Sequence, residues 1–107
     1  MEYIKLMNNT KWEELRLGMY GLADQKPAWR TRCIENGYIS QWDREWFYHF
    51  RECGYEIIEW VEIKTESPEQ EAIVQEVLSK IHFPGEKIGN LFKVYGHVPI
   101  GQAVDYI

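Results

Sequence analysis

Carboxylates, imidazoles and guanidinium groups set among aromatic rings are the side chains of this chain that could do chemistry. Glu59 lies in Ile58-Glu59-Trp60-Val61-Glu62-Ile63, where alternation puts it on one strand face with Tyr55, Ile57, Val61 and Ile63. A carboxylate on an apolar face must be paired, kept neutral or close to a sheet edge. Two readings follow: an ion pair with Arg30, Arg32 or Arg51 across the sheet, and a general acid/base in an aromatic pocket. His49 stands between Tyr48 and Phe50. It is a proton-transfer group if Glu59 or Asp43 orients its ring, and a half-exposed strand histidine otherwise.

Trp42-Asp43-Arg44-Glu45-Trp46 places two indoles around a charged turn. Exposed Trp beside Arg is the chemistry of interface hot spots and of pockets that stack a planar ligand; the plainer alternative is cross-strand packing. In Trp29-Arg30-Thr31-Arg32 the two arginines share a strand face. They could grip a phosphate or carboxylate bidentately, or balance nearby acids. No His-x-x-x-His or Cys-x-x-Cys spacing joins the three histidines or the two cysteines, so no metal site is expected. Ser40, Ser67 and Ser79 lack a nucleophile-elbow context, and no glycine-rich phosphate loop occurs, so no cofactor is implied.

The elements that must position these groups can be read from pattern. Thr10 with Glu13 reads as a capping box, and Trp12, Leu15, Met19 and Leu22 recur at helical spacing after it. Gly18 and Gly21 weaken that helix by about 1 kcal/mol each. From Ala28 to Ile63 the texture turns aromatic and β-branched, as in a β-meander with strands at Trp29 to Ile34, Tyr38 to Trp42, Trp46 to Arg51 and Tyr55 to Ile63. Asn36-Gly37 is its tightest turn. Ser67-Pro68-Glu69-Gln70 opens a second helix, whose apolar stripe is Ile73, Val74, Val77, Leu78 and Ile81. Leu91 to Tyr95 reads as a fifth strand and Ala103 to Ile107 as a terminal strand or extended tail. The expected fold is one α+β domain over residues 1–107: an antiparallel meander sheet of four to six strands with two helices, the second packed on one face.

A chain of 107 residues holds one core, and folding removes roughly two-thirds of the surface exposed by the unfolded chain. The aromatic fraction of 15%, with five Trp and seven Tyr, makes large rings the main means of filling that core. A net charge of -5 repels phosphate backbones, which argues against unspecific nucleic-acid binding. The stretch Met1 to Met7 shows no leader and no segment is long enough for a membrane helix, so a cytoplasmic protein with Cys33 and Cys53 reduced is expected.

Asn36-Gly37-Tyr38-Ile39-Ser40, Trp42-Asp43, Glu45 to Phe50, Gly54-Tyr55, Ile58 to Ile63, Val94-Tyr95-Gly96 and Gly101 to Tyr106 resemble a family of small bacterial proteins known only as a domain of unknown function. The resemblance implies a stand-alone bacterial domain and assigns no catalytic residue. Two functional classes therefore stand. The first is a non-enzymatic binding or regulatory module, inhibitor or immunity-type, whose aromatic, acidic sheet face around Trp42, Trp46 and Trp60 holds a basic protein partner. The second is a small-molecule-binding protein or enzyme whose aromatic pocket contains Glu59, His49 and Arg30/Arg32. Homodimerisation through a sheet edge is open to either.

Overall fold

Backbone amides that helices and strands cannot pair within themselves decide where the elements of this chain begin. The computed structural model describes residues 2–107; Met1 lies outside them. The chain runs β1 (Tyr3–Lys5), α1 (Asn9–Tyr20), a 3-10 turn (Ala23–Gln25), β2 (Ala28–Cys33), a second 3-10 turn (His49–Arg51), β3 (Ile58–Lys64), α2 (Pro68–Ile81), β4 (Gly85–Ile88), β5 (Leu91–Tyr95) and β6 (His97–Pro99). This is an α+β fold with two antiparallel sheets: four strands in the order β2-β3-β5-β4, and the β1-β6 pair.

Helix α2 follows its sequence signals closely. The Ser67 hydroxyl accepts the Gln70 N–H, Pro68 takes the first turn where its missing N–H costs nothing, and His82 closes the helix in the left-handed conformation ahead of Pro84. Helix α1 starts differently from the expected capping box at Thr10. Asn8 is the N-cap, its Oδ1 accepting the Lys11 N–H at 2.8 Å. Glu13 is thereby left for Arg16 and Tyr55. Gly18 is where the two helices meet, since a Cβ there would lie 2.7 Å from Val77 Cγ1. The propensity lost at Gly18 is the condition for that close approach.

Both helices cover one face of the larger sheet. Val61, Ile63, Phe92 and Val94 are fully buried there with Leu15, Met19, Val74 and Leu78. An aromatic cluster extends this core sideways: Trp12, Trp29, Trp46, Phe50 and Tyr55 are all buried, with ring centroids 4.8 to 6.2 Å apart.

The middle of the expected meander is different. Tyr38 to Trp42 does run antiparallel to the outer edge of β2, but as isolated bridges at Arg32–Ile39 and Trp29–Asp43. Between the two bridges five residues, 39–43, oppose four, 29–32, and the Ser40 hydroxyl accepts the Thr31 N–H in place of a ladder bond. Trp46 to Arg51 is not a strand. Asp43 Oδ1 accepts the Glu45 N–H, and Glu45 Oε1 accepts the N–H groups of Tyr48 and His49 at 2.9 and 2.6 Å, curling the chain into its 3-10 turn. The terminal segment forms no strand: it pairs as an isolated Pro84–Tyr106 bridge, Ile107 packing against the core. Three short strands, β1, β4 and β6, had no pattern to announce them; β4 reads Gly-Glu-Lys-Ile, a polar edge.

Candidate functional site

The curled segment 34–57 and strand β2 leave a cleft of about 320 Å3 between them. Its floor is apolar: Trp29, Phe50, Ile57 and Ile58. Thr31, Cys33, Ser40, Cys53 and Gly54 line its sides, while Arg32, Tyr38, Asp43, His49 and Glu52 supply the remaining polar and aromatic wall. The left-handed Gly37 (φ +74°) turns the chain back so that Tyr38, 64% exposed, joins that wall. An apolar cavity with a few convergent polar groups is the usual form of a small-ligand site, and the volume lies at the lower end of the range of about 300–1,000 Å3 for such sites.

The polar end is built by Asp43 and His49. Asp43 is clamped to β2 by two backbone bonds, its N–H to the Trp29 carbonyl (2.9 Å) and its own carbonyl accepting the Trp29 N–H (2.7 Å). From there Oδ2 accepts a bond from His49 Nδ1 at 2.8 Å. Burial pushes the Asp43 carboxyl upward, but the Glu45 N–H and His49 more than offset this and hold it below the ordinary carboxylate range. The same bond from Asp43 raises the His49 pKa above its ordinary value. With Nδ1 occupied, Nε2 is the nitrogen left to meet a ligand. Glu45 is also held low, chiefly by the His49 N–H, so the turn carries two fixed negative charges beneath one imidazole. Such an arrangement can donate a hydrogen bond or exchange a proton near neutral pH.

A second polar group lies between α1 and the curled segment. Arg16, buried, holds both oxygens of Glu13 (2.9 Å each) and donates to the Phe47 carbonyl at 2.8 Å. The Tyr55 hydroxyl donates to the same carboxylate. Arg16 and Tyr55 bring Glu13 down to about 2, while burial and then Glu13 push Tyr55 up to about 12. This triad ties the segment to α1.

The residues singled out from sequence are spread over three places. Of the two carboxylates offered as partner for His49, Asp43 makes the bond. Glu59 is not in the cleft. It is the unpaired residue where the β2–β3 register shifts, which turns it away from Val61 and Ile63 and onto Arg32, at 3.1 Å. Arg32 joins that ion pair and lines the cleft; Arg30 instead bonds Glu62 at 2.8 Å on the outer face of the sheet.

That outer face is a layer of its own. Arg30 and Lys64 lie over the Trp42 ring at 4.6 and 4.5 Å, and Lys93 lies over Trp60 at 4.3 Å, leaving Trp60 8% exposed. Trp46 is on neither surface: it is 0% exposed, its indole N–H donating to the Pro27 carbonyl at 2.9 Å. The three indoles expected to form one acidic contact face are thus a core residue and two rings capped by cations. Sequence reasoning missed the apolar floor of the cleft and, on its walls, Thr31, Cys33, Tyr38, Ser40, Glu52, Cys53 and Gly54. The one signal that could have found them is the spacing Asp43, Glu45, His49, in which side chains bond the backbone two to four residues on.

Among the described residues no group of three or more His, Cys, Asp or Glu is placed to hold a metal ion. No helix of the described residues is long and apolar enough to cross a membrane. Residues 1–101 match the family described as "Family of unknown function (DUF6678)". The chain belongs to that family. No curated protein and no solved structure matches the chain. For this DUF6678 member, then, the cleft geometry is the guide to function.

Proposed function

We propose that the chain is a small-ligand-binding protein, whose ligand places a flat apolar body against Trp29, Phe50 and Ile57 and a polar group at His49 Nε2. The observation that carries this reading is the Asp43–His49 pair at the mouth of an apolar cleft, pre-oriented by backbone bonds to β2. Preorganisation of that kind lowers the ordering cost of binding. The proposed setting is the bacterial cytoplasm, on the resemblance and the two unpaired thiols.

The reading is tested by titrating the 15N-labelled chain with indole, benzoate and benzamidine, one ring of each charge type. Shifts gathered at the amides of Thr31, Cys33, Ser40, Phe50 and Gly54, and abolished by the cleft-filling Cys53→Trp, are expected. Saturable shifts centred on Trp42 and Trp60 instead would transfer the site to the outer sheet face.

A protein-docking reading is favoured by a separate observation. Leu17, Tyr20 and Phe47 are exposed side by side, the two rings 5.3 Å apart, with Arg16 and Arg51 against Phe47.

A further inference from the structure

The chain has two cysteines, and both line the cleft. They arrive from different segments: Cys33 ends β2 at the register shift, and Cys53 is exposed in the turn that Gly54 completes at φ +81°. Both thiols are free. Both thiols thus open onto the same cleft of about 320 Å3 although 20 positions separate them in sequence. The Ile34 N–H donates to the Ile57 carbonyl at 2.8 Å, which anchors the end of the 52–57 segment beside Cys33 and leaves the Cys53 end on the outside.

We propose that Cys33 and Cys53 form a reversible disulfide across the cleft, and that this bond shuts the cleft to ligand. A disulfide holds its Cα atoms about 4.4–6.8 Å apart, so the bond pins the exposed turn against the end of β2 and fills the space that the ligand would take. The oxidant class is a peroxide. The Cys53 sulfur, its proton released to solvent, attacks the O–O bond and becomes a sulfenic acid as one water leaves. The Cys33 sulfur then attacks the Cys53 sulfur, and the expelled hydroxide takes up the Cys33 proton as a second water. Two thiols are oxidised by two electrons and one hydrogen peroxide is reduced to two waters. In a reducing compartment such a bond is transient, as expected of a sensor rather than a staple. The shutting rests on the ligand reading above; the bond does not.

The folded chain is treated with hydrogen peroxide at neutral pH, and its mass and peptide map are compared with those of the urea-unfolded chain. Loss of two hydrogens with a Cys33–Cys53 link, formed faster in the folded chain and reversed by dithiothreitol, is expected. In Cys33→Ser, Cys53 should instead stop at a sulfenic acid that dimedone traps. Chains linked to each other, added oxygens without a link, or a link formed only in urea would overturn the proposal. The oxidised monomer is then titrated with whichever ring probe shifts the reduced cleft. Loss of those shifts is expected, and unchanged shifts would overturn the shutting. Absence of shifts in the reduced chain would count against the ligand reading and leave the bond standing on its mass.

Discussion

Helix α2 with its sheet and the curled segment 34–57 are held by different kinds of bond. In the first, the backbone satisfies itself through ladders and helix turns, and the side chains have only to be apolar on the right face. In the second, side chains satisfy the backbone: Asp43, Glu45 and Ser40 take up amides that a strand would have paired, and buried rings replace the ladder as the source of cohesion. The difference teaches where a cleft can form. A regular strand at 38–51 would have packed flat on its neighbour, whereas a segment propped up by its own side chains stands off β2 and leaves room.

The comparison breaks first at Trp46. Replacing it with Ala should cost about 3–5 kcal/mol in urea unfolding, as large a loss as Leu78→Ala causes in the helix region, at about 2–5 kcal/mol. A loss no larger than that of a surface substitution would mean that the rings do not hold the segment. Side-chain caps should count alike in both regions. Ser67→Ala and Glu45→Ala each remove a side-chain acceptor of backbone amides, and each should lower stability by about 1 kcal/mol.

Two pH experiments sharpen the contrast. In the Glu13 triad the carboxyl sits at about 2 against an ordinary 4.5, so its stabilisation is present above 4.5 and is lost as pH falls through 2. Glu13→Gln should flatten the acid limb of the stability curve across that window. In the cleft the sign is opposite. His49 is raised by Asp43, so its contribution is complete below the ordinary histidine value of about 6.5 and fades as pH rises through the folded value. Asp43→Asn should bring the His49 titration, followed by NMR at its ring protons, back toward about 6.5; an unmoved titration would show that the pair is not formed in solution.

Legibility divides along the same line. Helix α2 was readable to the residue because Ser67, Pro68 and the Val74–Leu78 stripe are local signals that its tertiary setting obeys. Strands β2, β3 and β5 were readable as apolar alternation, and so was the α+β class. Segment 38–51 was not, because Trp46, Phe50 and their neighbours alternate as a strand would, yet are buried by packing among themselves rather than by facing a sheet. Glu59 misled for a related reason: alternation holds only while the register does, and the register shifts at that residue. The candidate site was half legible. Asp43, His49 and Arg32 stood out by type, while Cys33, Cys53 and Ser40 entered it through a fold that no short pattern records.

The most direct test is a crystal of the chain soaked with bromoindole, the bromine located by its anomalous signal. The account predicts a peak inside the cleft, with the ring between Trp29 and Ile57 and its N–H side toward His49. A peak over Trp42 or Trp60 on the outer sheet face, with the cleft unoccupied, would contradict it.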